Sequence, residues 1–335
     1  MYTSSRLLIA LLFCSASALA ATPEPAAKST SSESAGSKST SPLVASANDP
    51  ATVDGPAATL RAQILLDRAR FSPGEIDGQA GSNLARAVSG YQAAHGLAVD
   101  GRIGAEVWAS LNAADTAPAL VPYTLTAEDI AGPYAKIPED MEAKAALKSL
   151  GFESLDEALG ERFHASPALL KKLNPDADFG KAGTVLQVPG VAGLPALPKA
   201  AKLVVDKSDS TLSLLDAGGK VLAQFPASSG SSHDPLPIGE WKIKAVAQDP
   251  TFHYNPELFW DADPSHAKAT IAPGPNNPVG VAWIDLSKPH YGIHGTAIPA
   301  SIGKSQSHGC VRLSNWDVAT VAAAVDASVP VVMRE

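Results

Sequence analysis

The chain has 335 residues, 45% of them hydrophobic and 18% charged, with a formal net charge of −8. That length calls for two or three domains, and the apolar share can give each a core. The acidic balance excludes the basic footprint of a nucleic-acid-binding protein, and 27 prolines and 26 glycines announce many turns and linkers.

In chain order, residues 1–20 read as a secretory signal. Arg6 gives the positive start, Leu7–Phe13 the short apolar run, and Ala18-Leu19-Ala20 the small-residue cleavage site. The run is too short to span a bilayer, and no later stretch is long and apolar enough for a transmembrane helix. Residues 21–56 are rich in Ser, Ala, Thr and Pro with almost no large apolar groups. They cannot bury enough surface to offset their ordering entropy, which predicts a disordered tether.

Residues 57–113 predict a small all-α unit. Leu60, Ile64 and Leu65 have helical spacing, as do Leu84, Val88 and Tyr91, with Ser82 as N-cap and Gly96 as stop. Ile76-Asp77-Gly78-Gln79-Ala80-Gly81 recurs as Val99-Asp100-Gly101-Arg102-Ile103-Gly104, each copy a Gly-containing turn before a helix. The last helix carries Val107, Trp108 and Leu111.

Residues 121–190 predict a small α+β module. They open on Tyr123-Thr124-Leu125, run through the helical stretch Ser166–Pro175, and close on Gly183–Pro189. A stretch around Gly132–Phe152 interrupts this order as an insertion.

Residues 201–335 predict a β-rich domain, a sandwich or barrel-like fold. Leu203–Val205, Thr211–Leu215, Val221–Phe225, Trp241–Val246, Val279–Ile284, Tyr291–His294 and Val331–Met333 are short apolar or alternating runs. Gly218-Gly219 marks a hairpin, Pro235–Gly239 a turn, and Asn315–Val325 a helix. The long insert Asp249–Asn277 carries Tyr254, Phe259 and Trp260, and its aromatic content suggests a lid, with Tyr254 and Trp260 as substrate contacts.

The chemistry concentrates near the C-terminus, in Ser307-His308-Gly309-Cys310-Val311-Arg312-Leu313. Cys14 lies inside the predicted signal, so Cys310 is the one cysteine of the mature chain and has no disulfide partner there. An imidazole can take the thiol proton and return it to a leaving amine. Both His294 and His308 offer one. His308 is two residues before Cys310 across Gly309, a tight turn that separates their side chains, so position favours His294. Backbone N–H groups around Gly309 and Cys310 can stabilise an oxyanion. His290, His294, His308 and Cys310 could in principle ligate zinc, but His290 follows Pro289 and lacks the usual short ligand spacing, and no cofactor is expected. The remaining histidines, His95, His164, His233 and His266, are scattered and expected in solvent.

Three resemblances follow from these residues. Residues 57–113 resemble the bacterial peptidoglycan-binding domain, through Pro73–Gly78, Tyr91–Leu97, Val99–Gly101 and Trp108. Residues 121–190 look like a LysM module, whose family grips N-acetylglucosamine chains, apart from the insertion. Residues 201–335 resemble an L,D-transpeptidase catalytic domain of the YkuD type, through His294-Gly295-Thr296, Ser307–Leu313 and Pro237–Trp241.

The last resemblance implies a cysteine acyltransferase acting on a peptidoglycan stem tetrapeptide. It implies Cys310 as nucleophile, His294 as base and acid, the Gly295 carbonyl as its orienter, and Arg312 as holder of a stem-peptide carboxylate. In the same motif, His308 is expected among the catalytic residues and Ser307 and Gly309 at the substrate. D-Alanine would leave, and an amine of a second stem would resolve the thioester into a 3→3 cross-link. Lysine of an outer-membrane lipoprotein and water are alternative acceptors, and a non-catalytic wall-binding scaffold is the reading from a different class. The expected location is the periplasm, against the cell wall.

Overall fold

The structure, a computed structural model, describes residues 41–263 and 265–335. The predicted signal and most of the predicted tether lie outside the described residues. Among those described, no helix is long and apolar enough to cross a membrane.

The end of the predicted tether is ordered. Helix α1 (Pro42–Asn48) buries Val44 and Ala47, and the Asn48 side chain exchanges two hydrogen bonds with the Leu120 backbone, at 3.0 and 2.7 Å. The Ser/Ala-rich composition hid a half-turn apolar stripe, Leu43, Val44 and Ala47, that finds its partner in the middle module.

Three further helices follow: α2 (Gly55–Arg68), α3 (Ser82–Ala94) and α4 (Ala105–Ala114). Ser82 opens α3 but makes no capping bond; Gly81 holds the cap position. The sequence repeat is a structural one. The Gln63 amide of α2 bonds Asp77 and the Gly78 amide, and the Gln92 amide of α3 bonds Asp100 and the Gly101 amide. Gly78 and Gly101 have φ of 72° and 68°, a conformation glycine adopts without strain. Tyr91 and Trp108 are buried in this unit's core.

The middle module pairs β1 (Leu120–Thr124) antiparallel with β2 (Val185–Pro189). Between them run α5 (Ala127–Ala131), α6 (Met141–Ala145), α7 (Leu155–Arg162) and α8 (Pro167–Leu173). Ser154 and Ser166 cap α7 and α8 through their hydroxyls. The predicted insertion contains α6 and leaves the module as an excursion.

The C-terminal domain is built on an eight-stranded mixed sheet. Its strands are β3 (Lys202–Asp206), β4 (Thr211–Leu215), β5 (Val221–Pro226), β6 (Gly239–Gln248), β9 (Ala282–Leu286), β10 (Gly292–His294), β11 (Val311–Arg312) and β12 (Pro330–Arg334), in the order β11-β10-β9-β6-β12-β3-β4-β5. The first part of β6 pairs with β12 and the rest with β9, with a register shift between Ile243 and Ala245. One strand thus carries the sheet around a corner, as a bulge does. Helix α9 (Asn315–Ala324), capped by Ser314, packs Val318 and Val321 onto Ile284, Ile293 and Val311. Each such side chain, fully buried, contributes about 1.5–3 kcal/mol.

The insert forms the small antiparallel pair β7 (Phe252–Tyr254) and β8 (Ala269–Ile271). It packs on the excursion of the middle module. Leu150 (0% exposed), Tyr254 (5%) and Ile271 (0%) make a shared core, bordered by Met141, Leu147 and Phe259. The Ala267 amide donates to Glu142 at 2.9 Å, and the Leu150 amide to the Pro273 carbonyl at 2.9 Å. Tyr254 is therefore a core residue of the insert, with its hydroxyl 3.3 Å from His266 Nδ1. That corrects its expected place against substrate.

His164 also departs from its expected solvent position. It stacks on Trp316 at 5.1 Å and pairs with Asp67 of α2 at 3.1 Å, joining all three parts of the chain. The Ser72 hydroxyl donates to Asp317 of α9 beside it, at 3.0 Å.

Candidate active site

The site begins with strand register. β10 and β11 run parallel, Ile293 opposite Val311 and His294 opposite Arg312. Side chains alternate along a strand, so Ile293 and Val311 enter the core while His294 and Arg312 share the other face. Cys310, one residue before β11, continues that face two positions from Arg312 and lies diagonally across from His294. Two segments far apart in sequence reach one surface because β9, β10 and β11 are neighbours.

His294 is 7% exposed, with its Nδ1 2.7 Å from the Gly295 carbonyl. A carbonyl only accepts, so Nδ1 carries the proton and Nε2 is left as a lone-pair acceptor. The Trp283 ring stacks against the imidazole at 5.5 Å and 22°. Burial pushes His294 down to about 4, so the ring is neutral at pH 7. Burial pushes the Cys310 thiol up, while the Gly292 backbone and the charge of Arg312 pull it back. At neutral pH the imidazole is neutral, and burial favours the protonated thiol. The sulfur lies 3.8 Å from the His290 carbonyl.

The Ser307–Cys310 turn is held from inside. The Ser307 hydroxyl donates to the Cys310 carbonyl at 2.5 Å, and Gly309 has φ of 99°, where any Cβ would also meet the Tyr291 ring at 2.7 Å. Arg312 donates from Nη2 to Ser305 Oγ at 2.9 Å and to the Gln306 carbonyl at 2.6 Å. Its Nε is buried with no protein acceptor.

His308 turns to the insert. Its Nε2 lies 2.8 Å from Asp261 Oδ1, and Phe259 and Trp260 flank it at 5.3 and 5.8 Å. Trp260 is 59% exposed and stacks on His233 at 4.6 Å. Of the two aromatics expected to meet substrate, only Trp260 stands beside the motif. Sequence reading missed Trp283, His233 and Asp261. The first sits in an unremarkable strand, and the other two act through contacts the fold creates. Among the described residues, no group of three or more His, Cys, Asp or Glu side chains is arranged to hold a metal ion.

Comparison with known proteins decides the family. Residues 200–333 match the YkuD model, "L,D-transpeptidase catalytic domain", and residues 57–111 match the model "Putative peptidoglycan binding domain". "Putative L,D-transpeptidase YkuD" of Bacillus subtilis is 32% identical over 164 residues, which are 49% of this chain and 83% of that protein. The chain belongs to the L,D-transpeptidase family. "Probable L,D-transpeptidase YbiS" of Escherichia coli is 29% identical over 44% of this chain and 50% of its own length. A solved L,D-transpeptidase from Xylanimonas cellulosilytica covers 82% of this chain and 92% of its own at 16% identity, with a TM-score of 0.35. The L,D-transpeptidase domain follows a peptidoglycan-binding domain, so the enzyme is associated with the cell wall and peptidoglycan is its substrate.

Proposed function

We propose that this L,D-transpeptidase uses Cys310 as nucleophile and His294 as base and acid on a stem tetrapeptide. The observation that carries this is the neutral imidazole of His294, tied through Nδ1 to Gly295 on the same sheet face as Cys310. Nε2 takes the thiol proton as sulfur attacks the carbonyl that joins the third residue, at its L-centre, to terminal D-alanine. Amides around Gly309 and Cys310 receive the oxyanion, each donor being worth about 3–4 kcal/mol in such a site. The tetrahedral intermediate collapses, the C–N bond breaks, and D-alanine leaves with the proton from His294. A thioester remains on Cys310. The amine of a second stem attacks it, yields its proton to the imidazole and restores the thiol, which makes a 3→3 cross-link.

Arg312, opposite His294 in the strand pair, holds a stem carboxylate. Ser307 and Gly309 shape the turn, while His308 with Trp260 presents the insert to the stem. Residues 57–113 hold the wall, and residues 121–190, strand-helices-strand with an excursion, follow the LysM order. Export to the periplasm fits both the predicted signal and a lone cysteine in the mature chain.

The test is Cys310→Ala incubated with tetrapeptide muropeptides, products read by mass spectrometry. D-Alanine release and tetrapeptide–tripeptide dimers should vanish in the variant. Release at the normal rate refutes the assignment. In the parent enzyme, tripeptide monomers without dimers would make water the acceptor, and a lysine-linked product with added lipoprotein peptide would make lysine the acceptor.

A further inference from the structure

The rear of the site is packed around one polar side chain. Asn315 opens α9 directly beneath the two glycines that frame His294. A Cβ on Gly295 would lie 2.3 Å from Asn315 Oδ1, and one on Gly280 would lie 2.1 Å from the same atom. Asn315 Oδ1 accepts from the Val281 amide at 3.3 Å, at the start of the segment entering β9. Its Nδ2 donates to the Pro275 carbonyl at 3.1 Å and to Glu161 Oε1 at 2.9 Å. Glu161 belongs to α7, in the middle module, 154 positions away.

We propose that Glu161 is a positioning residue for His294, acting through Asn315 on the Gly280–Gly295 backbone whose carbonyl orients the imidazole. The inference rests on the catalytic reading of His294 above. Glu161 and Pro275 together fix both hydrogens of the Asn315 amide, which leaves Oδ1 aimed at the glycine pair. The Gly295 peptide cannot move toward α9 without striking that oxygen, nor turn away without leaving its 3.0 Å bond to the Val279 carbonyl. An imidazole held through a single carbonyl depends on where that peptide stands, and a misplacement of about 1 Å can cost on the order of a hundredfold in rate.

Glu161 is also a group that titrates near neutrality. Burial raises it to about 7, against the Asn315 hydrogen bond that favours its ionised form. The titratable groups around it are Glu157 on its own helix, His164 just beyond it, Asp317 on α9, and Glu75 across the cleft it lines with Ala297–Pro299. Asp317 is itself raised to about 7 by burial, so the cluster contains more carboxyl groups than cations. The ionised Glu161 is the stronger acceptor for Asn315. Turnover therefore falls as Glu161 protonates, a limb near pH 7 that His294, at about 4, does not supply.

The experiment measures D-alanine release from tetrapeptide muropeptides between acidic and mildly alkaline pH for the full enzyme, Glu161→Ala and Glu161→Gln. Melting by circular dichroism checks folding. Glu161→Ala should lose roughly ten- to a hundredfold in kcat at every pH with KM nearly unchanged. Glu161→Gln keeps an acceptor for Asn315, so it should recover most of that loss and flatten the limb near neutrality, leaving only what Asp317 contributes. A Glu161→Gln profile that superimposes on the parent's overturns the proposal, and so does a folded Glu161→Ala that turns over like the parent. His294→Ala is run beside them. If it keeps full activity the catalytic reading itself fails; if it is inactive while both Glu161 variants behave like the parent, only the positioning role fails.

Discussion

The two sides of the active site are supported by the same neighbour in different ways. Behind His294, α7 of the middle module meets Asn315 through a half-buried carboxyl, and glycine backbones pack so closely that no Cβ fits. In front of Cys310, the excursion of that module supports the insert through an apolar core, Leu150 with Tyr254 and Ile271. The insert then meets the motif at His308, which pairs with Asp261 and is flanked by Phe259 and Trp260, while Trp260 also stacks on His233. The rear is closely packed around the Asn315 hydrogen bonds, and the front is a braced flap with a solvent-exposed edge. Changes behind the imidazole should therefore appear in kcat, and changes in front in KM.

The largest effect is expected at Gly280. Its φ of 63° and a Cβ position 2.7 Å from the Gly295 backbone leave no room for alanine. Gly280→Ala combines left-handed strain of about 1–2 kcal/mol with overpacking of about 1–3 kcal/mol. It should lower the melting temperature and reduce kcat more than any change in the insert. A variant that melts and turns over like the parent would mean that the rear is not closely packed.

Leu150→Ala tests the front at its root. The side chain is fully buried between excursion and insert, so truncation should cost about 2–5 kcal/mol of local packing. The insert loosens while the rear hydrogen bonds stay. KM for muropeptides should rise several-fold with kcat little changed, and hydrogen exchange should quicken at Tyr254 and Ile271. A fall in kcat at constant KM would erase the distinction between the two sides.

Much of this was legible in the sequence, and the rest fails for one reason. Ser307–Leu313 and His294-Gly295-Thr296 are contiguous, so their chemistry shows in the order of letters. Most strands of the sheet read correctly because Leu203–Val205 and Trp241–Val246 carry local patterns, but β11 shows in the sequence only as motif and Val279–Ile284 becomes strand only at Ala282. The repeated Asp-Gly turns were visible, but not the glutamines that bind them. Glu161 carried no local signal, because its partner is 154 positions away. His164 looked solvated for the same reason, since Asp67 and Trp316 lie in different modules. Tyr254 looked like a substrate contact because aromatic residues in a long insert suggest a lid, and nothing local shows that Leu150 fills the space behind it. Local pattern gave elements and motif; contacts between modules gave the supports.

The smallest effect is the sharpest test of the front edge. Asp261→Asn removes one charge from the contact with His308, an exposed pair of the kind typically worth about 0.2–1 kcal/mol. Turnover at saturating substrate should stay as in the parent, because neither group supports His294. KM should shift by no more than a few-fold, and the shift should shrink as salt is raised, since exposed charges are screened. If Asp261→Asn instead reduced kcat strongly and independently of salt, His308 would have to act on the reacting atoms. The insert would then belong to the catalytic machinery rather than to the cover over it.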